Sequence, residues 1–263
     1  SEYWQRIIEK KDWKLVDAVK GLNDLSHEIE EWNMGGDATI CTTFMNGLAP
    51  IQKVELPKEF KPLSEITEKD IVGRHALAYL KKRGISKHDI LKYNIGYCEG
   101  GAYNKMIVIP SYSSEAKLNY FVARNFDSNS PVKYKNPPIN KNIVPFELFV
   151  NWSSPLVLCE GPFDALAIKR NAIPLLGKHI QDNLMKQIVT SVVKQIYIAL
   201  DKDAMKDALR FAELLLNEGK EVYLVDLDEK DPSEMGFENF SNLIQNTYPL
   251  TTYGLMSKKI ELI

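Results

Sequence analysis

The sequence predicts an α/β protein, with a mixed α+β N-terminal subdomain followed by a domain that has a mainly parallel sheet flanked by helices. Two observations support this. From residue 155 onward, short apolar runs alternate with helical segments, which is typical of a parallel sheet. Before residue 150, strand-like runs are separated by turn-forming residues such as Asp127-Ser128-Asn129-Ser130-Pro131. Hydrophobic residues make up 44% of the chain, enough to build a sizeable core.

The chain is predicted to divide into four parts: a helical lead-in (1–55), a basic subdomain (56–150), an α/β domain (151–238) and a C-terminal tail (239–263). Trp4, Ile7 and Ile8 fall near helical spacing in the lead-in. In the basic subdomain, a helix around Leu80 is predicted to end at Gly84. Strands are predicted at 106–109 and 118–123 and around Tyr134.

The α/β domain is predicted in more detail. Its predicted strands are 156–159, 173–176, 195–200 and 221–225, and its predicted helices are 163–170, 182–193 and 203–217, the last closed by Gly219. The first strand, Leu156-Val157-Leu158-Cys159, is apolar throughout, as expected for a strand covered on both faces.

Composition excludes several classes of protein. No apolar run approaches the roughly 18 residues needed for a membrane span, so no membrane partner is expected. Cys41, Cys98 and Cys159 are far apart and form no CxxC pair, so neither zinc nor a disulfide framework is expected in this chain. Three free thiols fit a reducing cytoplasm, which would be the host cytoplasm for a phage protein.

Acidic residues follow the ends of three predicted strands. They are Glu160 and Asp164 after the first strand, Asp201 and Asp203 after the third, and Asp226, Asp228 and Asp231 after the fourth. The carboxyl ends of parallel strands meet at one edge, where carboxylates repel one another unless a cation lies among them. Oxygen ligands favour Mg²⁺ or Mn²⁺. The alternative is that single acids cap helices, as Asp203 could do for the helix that follows it.

Two of these clusters resemble the motifs of the Toprim domain. Residues 156–164, Leu-Val-Leu-Cys-Glu-Gly-Pro-Phe-Asp, are similar to its first motif, and residues 196–203, Ile-Tyr-Ile-Ala-Leu-Asp-Lys-Asp, to its second. Asp231-Pro232 resembles an element that often follows the next strand. The resemblance implies that Glu160, Asp201 and Asp203 form a catalytic metal site. Asp164, Asp228 and Asp231 are weaker candidates for a further metal ion or for nucleotide phosphates.

The preceding segment is similar to the catalytic core of DnaG-like DNA primases. Tyr79–Ile85, Tyr93–Tyr97, Phe121–Arg124 and Lys133–Pro137 carry this similarity. The resemblance spans about residues 64–238 and implies synthesis of short RNA primers on single-stranded DNA during replication. It also implies ribonucleoside triphosphates as substrates and a replicative helicase as a partner. The family's usual zinc ribbon, which lies upstream of the catalytic core, is absent from this sequence and is expected as an upstream partner module missing from this chain.

Basic residues are the predicted contacts for template and nucleotide. Residues 74–150 hold 12 Lys and Arg against 5 Asp and Glu, whereas residues 151–240 hold 10 against 15. The family resemblance implies that Arg124 and Lys133 lie on a ridge that guides the template, and a hairpin is expected to bring them together. The predicted nucleic-acid and nucleotide contacts are Lys105, Arg124, Lys133, Lys135 and Lys178, the last replacing the hydroxyl of the family's usual Leu-Gly-Thr.

Two other functions stay open on sequence grounds. A Toprim-type metal-dependent nuclease would use the same carboxylates to cut nucleic acid. A non-catalytic module would bind single-stranded nucleic acid without turnover. The primase-like segment from Tyr79 to Pro137 disfavours the nuclease, and the intact Glu-Gly-x-x-Asp and Asp-x-Asp sequences disfavour a decayed module.

Overall fold

A computed structural model of the protein describes residues 54–177, 179–227 and 231–262. The predicted lead-in, residues 1–55, falls outside these ranges except for its last two residues, and Lys178 and Asp228 fall outside them as well. The remaining predictions can be compared with the structure directly.

The first part of the described chain is built on an antiparallel sheet. Its strands lie side by side in chain order: β1 (Phe60–Pro62), β2 (Gly96–Cys98), β3 (Met106–Tyr112) and β4 (Leu118–Asn125). β3 and β4 were predicted, whereas β1 and β2 have three residues each and are too short to show periodicity in the sequence. Gly96 is required where β1 crosses close to β2, because a Cβ there would lie 2.2 Å from the Phe60 ring.

Two helices, α1 (Ile71–Lys82) and α2 (Lys87–Lys92), connect β1 to β2. Asp70 is the N-cap residue of α1, and its carboxylate accepts a hydrogen bond from the Gly73 amide at 2.8 Å. It ends as predicted, because Gly84 adopts a positive φ of 73° and lets the chain turn away from the helix axis.

The second part is a parallel sheet of four strands in the order β6-β5-β7-β8. They are β5 (Leu156–Cys159), β6 (Ala172–Pro174), β7 (Gln195–Ala199) and β8 (Glu221–Leu224). Every residue of β5 is buried, as its apolar sequence predicts. The predicted fold class, a mixed subdomain followed by a parallel sheet with flanking helices, is therefore confirmed.

The helices of this part are α3 (Pro162–Ile168), α4 (Asp182–Thr190), α5 (Met205–Asn217), α6 (Pro232–Met235), α7 (Phe237–Gln245) and α8 (Thr252–Glu261). α7 and α8 occupy most of the predicted C-terminal tail. Phe240 of α7 packs in the apolar core shared by the two sheets, and Leu255 of α8 packs in the core on the other face of the parallel sheet. The tail is thus part of the folded unit.

Three predicted boundaries were wrong because the backbone turns earlier than the apolar pattern suggests. α3 stops at Ile168, since Lys169 adopts a left-handed conformation with φ of 50°. β6 stops at Pro174, and Leu176 has a φ of 56°. α4 stops at Thr190, because Ser191 is extended.

Across the described ranges, no helix is both long and apolar enough to cross a membrane. Cys98 and Cys159 are buried free thiols. Burial raises the pKa of Cys98 to about 12, so this thiol stays protonated and packs as an apolar side chain.

Candidate metal centre and basic hairpin

Two neighbouring strands bring the predicted catalytic carboxylates together. β5 and β7 are adjacent and parallel, with Cys159 beside Ala199 in the register. Glu160 directly follows Cys159, and Asp201 lies two residues beyond Ala199, so both side chains leave the sheet at the same edge. Because the apolar strands fix both backbone positions, this convergence is set by residues other than the carboxylates themselves.

The carboxylates of Glu160, Asp201 and Asp203 form one compact group. One oxygen from each lies within 4.8 Å of the others. Glu160 and Asp201 are half-buried, whereas Asp203 is exposed. In the described part of the chain, this is the only group of three or more His, Cys, Asp or Glu side chains with such spacing. A set made only of carboxylate oxygens suits a hard cation of the Mg²⁺ or Mn²⁺ type.

Asp203 is not the N-cap residue of α5. Lys202–Ala204 form a 3-10 turn, and α5 begins only after it. The N-cap residue of α5 is Ala204. The prediction that the helix starts at Asp203 is therefore wrong by two residues, because the 3-10 turn holds Asp203 at the end of the sheet.

Asp164 lies behind this group, in the first turn of α3. It is only 8% exposed, and its carboxylate accepts a hydrogen bond from the Gly161 amide at 3.0 Å. A Cβ at position 161 would lie 3.1 Å from the same carboxylate oxygen, so glycine allows this close approach. Burial and then the nearby Asp231 and Asp201 carboxylates raise the pKa of Asp164 to about 7. The acidic edge thus carries unfavourable charge repulsion without a bound cation.

Asp231 has a structural role that the sequence did not indicate. It is the N-cap of α6, and its Oδ1 accepts hydrogen bonds from the Glu234 amide at 2.8 Å and from the Ser233 hydroxyl at 2.7 Å. Asp164 and Asp231 both lie outside the three-carboxylate group. Asp228, predicted beside them, lies outside the described residues.

A hairpin of basic residues, which we call the basic hairpin (118–135), contains Arg124, Lys133 and Lys135. The Asn125 amide donates to the Lys133 carbonyl at 2.9 Å, and the Lys135 amide donates to the Ala123 carbonyl at 3.0 Å. The predicted hairpin therefore exists, although the segment around Tyr134 forms a single bridge and not a strand.

The hairpin was expected to place the Arg124 and Lys133 side chains close together on one rim, but a different residue lies opposite Arg124. Arg124 lies opposite Tyr134, and its guanidinium carbon is 4.5 Å from the centre of the Tyr134 ring. Lys133 lies opposite Asn125, so its side chain points to the other face of the hairpin. Lys133 is exposed, whereas Arg124 is half-buried. The two cations therefore differ in exposure.

Sequence reasoning missed the side chains that hold Arg124. The Tyr79 hydroxyl of α1 accepts hydrogen bonds from Arg124 Nε at 3.1 Å and from Arg83 Nε at 3.0 Å. Arg83 also lies against the Tyr79 and Phe163 rings, at 5.2 and 5.1 Å from their centres. Arg83 and Tyr79 stand in the primase-like segment of the sequence, but nothing local predicts that two arginines meet at one hydroxyl.

Arg83 also connects the basic subdomain to the acidic edge. Its guanidinium donates to the Ser233 hydroxyl at 3.4 Å, and Ser233 in turn donates to Asp231. The chain of contacts from Arg124 through Tyr79, Arg83 and Ser233 therefore ends at Asp231, which lies outside the three-carboxylate group. It brings Arg83 of the basic subdomain to the side chains that cap α6.

The other predicted cations are held by different contacts. Lys105 forms an ion pair with Asp127 at 3.0 Å, and both side chains are partly exposed. Lys135 Nζ donates to the Ala102 carbonyl at 2.8 Å and lies 5.2 Å from the centre of the Tyr103 ring. Lys178 is outside the described residues.

Known proteins share parts of this sequence and this fold. Residues 157–235 match a family model described as Toprim-like. A DNA primase of Aquifex aeolicus is 25% identical over 230 residues, which cover 66% of this chain and 45% of that protein. This chain therefore spans less than half the length of that relative.

Solved structures show the same fold. The Aquifex aeolicus primase, in a structure of its zinc-binding and RNA polymerase domains, has a TM-score of 0.57 and 24% identity, with 67% of this chain and 57% of that chain covered. A DnaG primase catalytic domain bound to single-stranded DNA has a TM-score of 0.61 and 19% identity, with 73% and 77% covered. The resemblance inferred from the sequence is confirmed: the chain contains a Toprim-like domain and has the fold of a DnaG-type primase catalytic core.

Proposed function

We propose that this chain is the catalytic core of a DNA primase that joins ribonucleotides on a single-stranded DNA template. The observation that carries the proposal is the compact group of Glu160, Asp201 and Asp203 within a primase-core fold. In the reaction, a 3′-hydroxyl oxygen forms a bond to the α-phosphorus of a ribonucleoside triphosphate, and pyrophosphate leaves.

The three carboxylates would hold Mg²⁺ or Mn²⁺, which neutralises charge that develops on the transferred phosphoryl group. Glu160 and Asp201 are half-buried, so their orientation is fixed before substrate binds. Asp203 is exposed, so solvent and substrate can reach it. Burial is the main cause of the raised pKa of Asp164, and the Asp231 and Asp201 carboxylates raise it further.

The basic subdomain would bind the phosphates of the template and the nucleotide. Lys133 is suited to bind a template phosphate because its side chain is exposed. Among the described residues, none forms a hydrogen bond or an ion pair with this side chain that would compete with the phosphate. Arg124, held by Tyr79 and Tyr134, would present a guanidinium in a fixed orientation. Lys105, Lys135 and Lys178 are proposed as further contacts for nucleic acid or nucleotide.

The same carboxylates would also serve a Toprim-type nuclease. The chain from α1 through the basic hairpin argues for the primase, because it belongs to the primase-core fold and its cations reach the acidic edge through Arg83. A module that only binds nucleic acid would gain nothing from three carboxylates that repel one another. Neither alternative is favoured.

One assay separates the three functions. The protein is incubated with single-stranded DNA, labelled ribonucleotides and Mg²⁺. New short RNA chains that disappear when EDTA is added support the primase. Shortened DNA without RNA synthesis identifies a nuclease, and DNA binding without either product identifies a binding module.

The proposed partners follow from the same resemblance. A separate zinc-binding module and a replicative helicase would act with this core in the cytoplasm, or in the host cytoplasm for a phage protein. Adding a zinc-binding module from a related primase is expected to increase primer initiation more than extension of a supplied primer. Equal increases in both would contradict this role.

A further inference from the structure

A groove lies at the edge of the parallel sheet opposite the metal centre. Its volume is about 800 Å³, and its wall includes Pro155 just before β5 and Asn171 just before β6. The catalytic carboxylates follow the other ends of the strands, so the groove is a separate site. A volume of this size falls within the range of small-molecule pockets.

The wall of the groove is positively charged. Sixteen residues line it, and they include Lys92, Lys169 and Arg170 but no Asp or Glu. This is unexpected in a domain whose acidic residues outnumber its basic ones, 15 to 10 over residues 151–240. Lys169 has one acidic neighbour beneath it, since its Nζ lies 3.5 Å from the Asp89 carboxylate. Three cations on one wall attract an anion with more than one negative charge.

Aromatic side chains also line the groove. Tyr197 and Tyr223 stack on each other, with ring centres 4.3 Å apart and planes inclined by 16°. Tyr248, a third lining residue, is 85% exposed. An exposed ring beside several cations is the combination that binds a nucleotide, because the base stacks on the ring while the phosphates meet the cations.

We propose that this groove is a second nucleotide-binding site, in which Lys92, Lys169 and Arg170 contact phosphate and Tyr248 stacks on the base. The ligand has a phosphate ester and an aromatic base, and it is supplied either by a free nucleoside triphosphate or by one unit of a single strand. The site lies outside the proposed catalytic centre. It binds nucleotide whether or not the chain synthesises primers.

Photolabelling of the full chain tests the proposal. Azido-ATP represents the free nucleotide, and oligothymidylate substituted with iodouracil represents the strand. Both probes are used on the Asp201→Asn variant, so that binding at the metal centre is weakened. The expected result is a cross-linked peptide that contains Tyr248. Labelling by azido-ATP alone identifies a free nucleotide as the ligand, and labelling by the oligonucleotide identifies a strand.

Substitutions provide the matched comparison. Lys92→Gln with Arg170→Gln, and separately Tyr248→Ala, should raise the probe concentration at half-maximal binding in the groove by about fivefold or more. The control for charge is Lys186→Gln with Arg210→Gln, which removes two exposed cations from α4 and α5. The control for the ring is Tyr253→Ala, since Tyr253 is 84% exposed but does not line the groove.

The proposal is overturned if neither probe labels residues of the groove, or if groove and control variants bind both probes equally. Primer synthesis by the wild-type chain is measured in parallel. If the chain makes no primers but the groove is labelled, the proposed function is wrong and the second site stands. If the chain makes primers but the groove is not labelled, the proposed function stands and the second site is wrong.

Discussion

The acidic edge and the basic hairpin hold their charges in opposite ways. At the acidic edge, apolar strands place Glu160 and Asp201 side by side, and the neighbouring carboxylates repel one another. In the basic hairpin, Arg124 is stabilised by the Tyr79 hydroxyl and the Tyr134 ring. The first region therefore stores charge repulsion that a cation would relieve, whereas the second region is already satisfied by neutral partners.

This difference separates binding from positioning. A neutral change at the acidic edge should remove activity, and it should also relieve repulsion among the carboxylates. Loss of Arg124 should lower stability and nucleic-acid binding together, because Arg124 is held by specific side chains. The predictions below test each half of that contrast.

The largest effect is expected at the metal centre. Asp201→Asn, and likewise Glu160→Gln or Asp203→Asn, should lower primer synthesis in Mg²⁺ by at least about 100-fold, since even indirect support of a metal site contributes 10–100-fold. The midpoint of thermal unfolding, measured in EDTA, checks that each variant is folded. Near-normal synthesis by the Asp201→Asn variant would contradict the proposed centre. Asp182→Asn, an exposed acid at the start of α4, is the matched control.

The second prediction concerns pH. The pKa of Asp164 is raised in the folded protein to about 7 from an ordinary value of 3.8, so the folded state binds this proton more tightly than the unfolded state. Stability from this group is therefore complete at low pH and is lost as pH rises through about 7. The Asp164→Asn side chain cannot ionise, yet its amide oxygen can still accept from Gly161.

In urea unfolding with EDTA, the free energy of unfolding of Asp164→Asn relative to wild type should therefore increase between pH 5 and pH 8, by about 1–3 kcal/mol. Asp182→Asn, which removes an exposed carboxylate, is measured in parallel as the control. If the difference in unfolding free energy between Asp164→Asn and wild type does not change with pH, then burial and the acidic neighbours do not raise the pKa of Asp164.

The third prediction concerns the salt dependence of DNA binding. If Lys133 and Arg124 each contact a phosphate of a single strand, replacing either with Ala should flatten the slope of log K against log salt by about 0.7. The two changes should be additive, since the side chains lie on opposite faces of the hairpin. Lys117→Ala removes an exposed cation from the opposite end of β4 and should leave the slope unchanged. If both variants keep the wild-type slope of log K against log salt, the template does not contact Lys133 or Arg124.

The same contrast explains what the sequence could predict. The metal centre depends on two apolar strands and the residues that directly follow them, and both features are local in the sequence. The contacts of Arg124 depend on Tyr79 and Arg83, which lie more than 40 residues away in a helix whose polar face has no distinctive pattern. Pairing of Arg124 with Tyr134 depends on the register of an irregular turn, which alternation of residues alone does not determine.

The smallest effect is expected from Tyr79→Phe, which keeps every charge and removes one hydroxyl. Two arginines lose their shared acceptor, so the free energy of unfolding should fall by about 1 kcal/mol. Affinity for single-stranded DNA should fall less than in Arg124→Ala, because the guanidinium remains but is held less firmly. The salt slope should stay at the wild-type value, since the number of phosphate contacts is unchanged.

Tyr112→Phe provides the control for this last change, because the Tyr112 hydroxyl also accepts a hydrogen bond, from Asn94 at 3.1 Å, but does not contact Arg83 or Arg124. Tyr112→Phe should leave DNA affinity unchanged. If Tyr79→Phe binds DNA as tightly as wild type while Arg124→Ala binds weakly, the Tyr79 hydroxyl does not position Arg124 for the template. If Tyr79→Phe flattens the salt slope as much as Arg124→Ala does, the hydroxyl is required for the phosphate contact itself, and positioning and binding are not separable in this hairpin.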